Sequence, residues 1–411
     1  MQASELYSQI LGIDIPWFIS NIELDERLAQ ITVVLSHGKE SKFPCSCCGE
    51  LSSLYDHSKA RTWRHLDTCQ YSTYLRASVP RVRCNNCGVL VASIPWAQPH
   101  SRFSEMFECH VIDYLQNCQV IERSAVALKT SPDQVRYLMK KSVERGLSLR
   151  QAAELPIKRL AIDEKSQQSG HCYVTILSDA DEGSVLAVSE GRTIESVQEA
   201  YNALTDRQLG HVQSVTMDMW SAFETVTQQV IPHADVVYDR FHLSVYLNNS
   251  VDITRRAENK RLAKAGDESL KKTKYLWLKN PHNYTAKDEA QLSQLKQANN
   301  TPELIKVFEL KEEFRAFFAC CTTEMAKLFF YEWQEKVITS QNTHLIKVAK
   351  MFEKHLEGML HYIQHRVSNA IAEGLNSRIQ QLKAKARGFR SAAAFRIAIL
   401  FHFGKLYLYP A

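Results

Sequence analysis

No apolar run in this chain of 411 residues is long enough to span a bilayer: the stretch Ala392 to Phe403 is interrupted by Arg396, whereas a membrane helix needs about 20 apolar residues in a row. The N-terminus also lacks the charged segment, apolar stretch and small-residue cleavage site of a secretory leader. Both absences predict a cytoplasmic protein without membrane contact. In that reducing compartment the eleven cysteines are expected to bind metal rather than form disulfides. Strong net charge is missing too. A formal charge of +5 makes affinity for a polyanion depend on a local patch. Such a patch follows Glu373: no Asp or Glu comes after it, but Arg378, Lys383, Lys385, Arg387, Arg390, Arg396 and Lys405 do.

What is present begins with two cysteine knuckles, Cys45-Ser46-Cys47-Cys48-Gly49 and Cys84-Asn85-Asn86-Cys87-Gly88, separated by the strand-like Tyr71–Val79. Doubled Cys-x-x-Cys joined by strands describes a zinc ribbon, with Cys45, Cys48, Cys84 and Cys87 as a tetrahedral structural set. Glycine after each second cysteine allows the positive φ that turns backbone amides toward thiolates. Cys47 lies within its knuckle and is read as a bystander, while His57 and Cys69 are the substitutes to consider. Arg61, Arg64, Arg76, Arg81 and Arg83 decorate this module. Ahead of it, residues 1–40 form a lead-in with a strand over Ala29–Leu35.

Pro95 and Pro99 mark a linker, and residues from Arg102 to Glu144 are helical in pattern with a break at Lys129-Thr130-Ser131-Pro132. Ser131 suits the N-cap of the next helix, Pro132 its first position and Asp133 its N-terminal dipole. Gln119–Lys141 thus forms a helix-turn-helix with Val126, Leu128, Val135 and Leu138 inward. Its second helix carries Gln134, Arg136, Tyr137, Lys140 and Lys141, residue types suited to a major groove.

Two strand-like runs then end in a carboxylate, Leu160-Ala161-Ile162-Asp163 and Val215-Thr216-Met217-Asp218. Between them lie the strands Tyr173–Asp179 and Ser184–Val188, turns at Ser169-Gly170 and Asp181–Gly183, and a helix from Ile194 to Gln208. Val236-Val237-Tyr238-Asp239 follows a further helix. The order βββαβαβ resembles the ribonuclease-H fold, in which an acid on the first strand and one after the fourth lie side by side. Residues from 245 to 364 are helical and charged, with Trp277 and Trp333 expected in a core. Near the C-terminus, Ile371, Leu375, Ile379 and Leu382 gather on one helix face and Asn369, Glu373, Asn376 and Gln380 on the other. Asp163, Asp218 and Glu373 are therefore a candidate three-carboxylate metal site, from which strand alternation turns Glu164 away.

Taken in order, Cys45-x-x-Cys48-Gly49, Arg81-Val82-Arg83-Cys84-x-x-Cys87-Gly88, the helix-turn-helix, Ile162-Asp163-Glu164, Met217-Asp218-Met219-Trp220, Tyr238-Asp239-Arg240-Phe241-His242, Ser368-Asn369, Glu373-Gly374-x-Asn376 and Arg387-Gly388-Phe389 resemble the ISL3-type insertion-sequence transposases of the DDE class. The resemblance implies a multidomain α/β protein. Its parts are a lead-in (1–40), a zinc ribbon (41–98), a helix-turn-helix (99–152) and a ribonuclease-H-like catalytic domain (153–244 and 365–411) interrupted by a helical insertion (245–364). It implies Asp163, Asp218 and Glu373 as catalytic acids holding Mg²⁺, two ions with Mn²⁺ as a substitute, and Zn²⁺ in the ribbon. Asp239 and His242, which end a neighbouring strand, are rivals for metal or substrate contact or else support the acids from behind, as Asn369 and Asn376 would. The implied activity is binding of terminal inverted repeats, then strand cleavage and strand transfer, by a nucleoid-associated enzyme that is a homodimer when active on double-stranded end and target DNA. DNA contact would come from Gln134, Arg136, Tyr137, Lys140 and Lys141, and from Arg378, Lys383, Lys385, Arg387 and Arg390. Two other classes compete: a DNA-binding regulator whose nuclease-like domain is inactive, and a ribonuclease-H-like resolvase of branched DNA.

Overall fold

The computed structural model describes residues 3–168, 172–298, 300–367 and 370–410. The chain divides into two units, Met1–Ala152 with Ala384–Arg387 and Lys405–Ala411, and Ala153–Lys383 with Gly388–Gly404.

In the first unit, apolar alternation produces β1 (Trp17–Asp25), β2 (Gln30–His37), β3 (Lys42–Pro44), β4 (Leu51–Arg64), β5 (Ser72–Cys84) and β6 (Gly88–Val91). They form one sheet of order β1-β2-β5-β4-β3, with β6 also paired to β5. Every second residue of β5 from Thr73 to Val79 is buried, the period expected of a strand with one face inward. β2 pairs in parallel with β5, Ile31 opposite Thr73 and Leu35 opposite Ala77, so the lead-in and the ribbon share a sheet. Trp17, Phe43, Trp63 and Trp96 fill its core.

Helices Glu105–Cys118, Ile121–Ala127 and Pro132–Ala153 follow. Ser131 and Gln134 cap the last one reciprocally: the Gln134 amide donates to the Ser131 hydroxyl, and Gln134 Oε1 accepts from the Ser131 amide, both at 3.2 Å. Leu128, Val135 and Leu138 are buried as expected, but Val126 faces solvent and Ala125 takes its inward place. A helix of seven residues is too short for periodicity to fix its face within one residue.

In the second unit, β7 (Arg159–Gln168), β8 (Cys172–Asp179) and β9 (Ser184–Glu190) make an antiparallel meander. β10 (Ser214–Met217) and β11 (Asp235–Tyr238) continue the sheet in parallel, giving the order β11-β10-β7-β8-β9. The expected turn at Ser169-Gly170 lies outside the described residues. The expected helix Ile194–Gln208 is two helices, Ile194–Tyr201 and Asp206–Gly210, because Thr205 and Gln208 form a capping box that starts the second. Val197, Tyr201 and Leu204 point inward.

From Arg240 to His365 the described structure is helical or in short connections. Trp277 and Trp333 are fully buried, and their indole N–H groups donate to Thr273 Oγ1 at 3.3 Å and Leu310 O at 2.8 Å. These helices share one apolar core with the sheet, in which Leu160, Leu177 and Val215 join Trp277, Phe314 and Phe352. Helix Ala392–Phe403 packs on β9. Leu375, Ile379 and Leu382 of helix Ala370–Lys385 are buried, but Ile371 is exposed and Ala372 faces inward. Ile371 lies over Gly183, where a Cβ would come within 2.8 Å of its Cγ2 and φ is +63°, so only glycine fits under this helix end. Among the described residues no helix is long and apolar enough to cross a membrane.

Candidate active site and metal centre

The two knuckles bring the Sγ atoms of Cys45, Cys48, Cys84 and Cys87 within 4.8 Å of one another, with Cys48 and Cys84 at 3.5 Å. Four sulfurs at about 2.3 Å from a tetrahedral zinc lie about 3.8 Å apart, so the thiols fit that ion. Gly49 and Gly88 have φ of +75° and +79°, the left-handed turn that the glycines were expected to supply. Backbone amides of Asn86 and Cys87 pull the Cys84 thiol down to about 7, favouring the thiolate that binds metal. Cys47 and Cys69 are exposed, and neither they nor His57 belongs to the four-sulfur group. His57 instead meets His37, Nε2 to Nε2, at 2.8 Å.

A second constellation follows from strand register. Thr216 of β10 lies opposite Ala161 of β7 and Met217 lies opposite Tyr238 of β11. Carried on by one or two residues, that register sets Asp163, Asp218 and Asp239 in one row across three parallel strands. The Asp239 amide donates to Met217 O at 3.0 Å and holds the row together. Asp218 Oδ1 is 3.0 Å from His242 Nε2, and Asp239 Oδ2 is 3.9 Å from it. Asp218, Asp239 and His242 form a group with ligand atoms within 4.8 Å of one another. Asp239 also caps the helix Arg240–Lys264 by accepting from the Phe241 amide at 2.9 Å.

The charges of the row act on one another. Burial pushes the Asp163 carboxyl above its ordinary range, the nearby Lys165 opposes that shift and the Asp218 charge adds to it. Lys165 Nζ lies 3.7 Å from Asp163 Oδ2. The hydrogen bond that His242 donates to Asp218 raises the His242 pKa, against the effect of burial.

The third expected acid approaches differently. Glu373 is exposed and is not in either ligand group. Asn376, one turn further along the same helix, donates its amide to Asp163 Oδ2. Asn369 lies outside the described residues. Lys383 donates to Ser166 O of β7 at 2.8 Å, the Arg378 guanidinium lies 5.5 Å from the Phe403 ring centre, and Lys385 donates to Gln119 Oε1 at 2.8 Å. Arg387 and Arg390 are exposed.

On the expected recognition helix the assignments divide. Tyr137 is exposed and Lys140 reaches Glu144 at 3.6 Å. Arg136 is braced by Glu122 at 2.9 Å and Asp133 at 2.8 Å. Gln134 serves as a cap. Lys141 is turned to Glu108 at 2.9 Å, a buried carboxylate that Arg145 also holds, as a buried charge requires.

The sequence already set Asp239 beside the acids, as a rival for metal contact or as their support. Its signal was a repeated pattern, since Leu160–Asp163, Val215–Asp218 and Val236–Asp239 are each a short strand-forming run closed by aspartate. Lys165 and the Arg192–Trp220 contact at 5.1 Å carried no such signal.

Residues 160–399 match the ISL3 transposase family model, and residues 41–87 match the model described as the zinc-finger of transposases IS204, IS1001, IS1096 and IS1165. That second match spans all four cysteines and, with their geometry, supports a structural zinc. The chain is 26% identical to the transposase for insertion sequence element IS1001 of Bordetella parapertussis, over 86% of this chain and 87% of that protein. It is equally 26% identical to the transposase for insertion sequence element IS1557 of Mycobacterium tuberculosis, over 96% of this chain and 94% of that one.

Proposed function

Because this chain belongs to the ISL3 family of insertion-sequence transposases, we propose that it binds the inverted-repeat ends of its element and cuts and rejoins DNA at Asp163, Asp218 and Glu373. The observation that carries this reading is the row of aspartates across the sheet with the Asn376 amide on Asp163. That bond ties the helix bearing Glu373 to the first acid. A strand order of three antiparallel and two parallel members supports the ribonuclease-H-like reading of the catalytic part. Residues 153–244 and 365–411 are assigned to it, apart from Ala384–Arg387 and Lys405–Ala411, which belong to the first unit, and 245–364 to the helical insertion.

An all-oxygen donor set suits Mg²⁺ or Mn²⁺, which when bound activates the attacking oxygen and stabilises the leaving 3′ oxygen. Asp163, Asp218 and Glu373 are the proposed ligands. Asp239 and His242 orient Asp218, His242 through its 3.0 Å contact, and Asn376 fixes Asp163. Water is the nucleophile in nicking and the freed 3′ hydroxyl in strand transfer. The Ile121–Ala127 and Pro132–Ala153 helices serve as the helix-turn-helix, with Gln134, Arg136, Tyr137 and Lys140 toward the groove. Joining two ends requires two bound copies, so the active complex is a homodimer at least.

The test is Mg²⁺-dependent nicking of end DNA. Asp163→Ala, Asp218→Ala and Glu373→Ala proteins are expected to keep a parental gel shift and lose nicking. An Asp218→Ala protein that nicks at the parental rate refutes the site. A parent that binds the ends but never nicks them is the DNA-binding regulator instead.

A further inference from the structure

Five of the six tryptophans are buried, whereas Trp220 is 41% exposed. Leaving an indole in water forfeits a large hydrophobic gain, and the surroundings of Trp220 hold it there. Its amide donates to Asp218 O at 2.7 Å, and its carbonyl accepts from the Phe223 amide at 3.0 Å as the helix Ser221–Val230 begins. The Arg192 guanidinium lies 5.1 Å from the Trp220 ring centre and 4.5 Å from the Tyr173 ring centre. Arg192 is in turn paired with Glu164 at 3.4 Å. The cation is therefore committed to two rings and a carboxylate, which suits a rigid backing rather than a phosphate ligand.

The result is an aromatic surface two residues beyond Asp218, with the Arg192 guanidinium over its ring and much of the residue open to solvent. We propose that Trp220 is a stacking platform for one unpaired base beside the bond that is cut, with Arg192 as the residue that positions its ring. A base inside a duplex is already stacked on its neighbours, so an indole at this position can gain only from a base that has left the stack. Such stacking tolerates any base and contributes about a 5- to 150-fold effect per base on alanine substitution. Holding one end nucleotide out of the helix would fix the strand for attack. This inference rests on the cleavage reading above, since it needs the end DNA to lie at Asp218.

The experiment places 5-iodouracil, one position at a time, on both strands across the cleaved end, and irradiates the complex with the full chain in Ca²⁺ so that cleavage is not needed. Tandem mass spectrometry then locates the cross-linked residue. Nicking in Mg²⁺ is measured in parallel for Trp220→Ala, Trp220→Phe and Arg192→Gln. Expected are a cross-link at Trp220 from one or two adjacent positions and a loss of about 5- to 150-fold in nicking for Trp220→Ala. Trp220→Phe should stay near the parent, and an abasic nucleotide at the cross-linking position should restore much of the Trp220→Ala rate. Arg192→Gln should lower the cross-link yield at Trp220. Bound DNA that cross-links at no scanned position to Trp220 overturns the platform, as does a Trp220→Ala protein that nicks at the parental rate. A parent that cross-links through Trp220 yet never nicks supports the platform while sinking the cleavage reading, so the two failures are distinguishable.

Discussion

The side-chain amide of Asn376 donates to the Asp163 carboxylate across 213 residues of sequence. It connects a helix near the C-terminus to the first strand of the second sheet. The bond also selects a state of Asp163, since an amide donor favours the carboxylate over the acid while burial does the reverse.

Removing that donor should loosen the acid without deleting it. An Asn376→Leu protein is expected to nick end DNA about 10- to 100-fold more slowly, the cost usual for losing a group that orients a metal ligand. Raising Mg²⁺ should recover part of the loss. Gel shifts on the ends should stay within about twofold of the parent, a margin below 1 kcal/mol. Parental nicking at low Mg²⁺ would leave Asn376 with only a structural role.

The ribbon prediction concerns folding. One zinc per chain should copurify, and its removal should cost on the order of 10 kcal/mol of the free energy that holds the knuckles. Cys45 and Cys84 belong to the same core as Trp17, Trp63 and Trp96. Chelation is therefore expected to shift tryptophan emission to the red, and Zn²⁺ to reverse it. A Cys84→Ser protein with a full complement of zinc would count against the assigned ligands.

A pH prediction comes from His65, which is 3% exposed and whose pKa burial and the neighbouring Arg64 lower to about 4. Its Nδ1 lies 2.8 Å from the Ser104 hydroxyl, which also accepts the Phe107 amide at 3.2 Å. The neutral ring accepts from that hydroxyl, and protonation would set two donors against one oxygen. A depressed pKa means that the unfolded chain binds the proton first. The stability from neutral His65 is therefore complete above about pH 6.5 and fades toward pH 4, by about 3 kcal/mol in total. Thermal unfolding at pH 7 and pH 5 measures it. A His65→Gln protein should lose less stability between those two values than the parent, and equal losses would refute the assignment.

Local signals made much of this legible from sequence. Paired knuckles, the aspartates after β10 and β11 and a Ser-Pro-Asp helix start each depend on residues close in the chain and are where they were expected, whereas Asp163, expected at a strand end, lies inside β7, whose pairing with β8 carries it on to Gln168. The features left open depend on partners far away. The commitment of Lys141 to Glu108 spans 33 residues, and the parallel pairing of β2 with β5 leaps over two strands. Asp239 joins the acid row only through the register of β10 and β11, which no periodicity within one strand reveals. Val126 and Ile371 failed for another reason: each sits at the edge of an apolar stripe, where a shift of about 100° reverses the side it faces.

The last prediction separates two kinds of DNA contact. Arg387 is exposed in a stretch without acids, so phosphates drawn to it should be held regardless of sequence. Arg136 instead is braced between Glu122 and Asp133 on the helix assigned to the groove, and the same acids that aim it also repel a backbone phosphate. An Arg387→Ala protein should bind end DNA and random DNA more weakly by similar factors. Its slope of log affinity against log salt should fall by about 0.9, the change expected when one fewer phosphate is neutralised. An Arg136→Ala protein should weaken end DNA by about 1–3 kcal/mol and random DNA much less, with little change of slope. Salt titrations of both proteins on both DNAs decide the matter. An unchanged slope would remove Arg387 from the backbone contacts, and a uniform loss for Arg136→Ala would move that residue from base reading to phosphate binding.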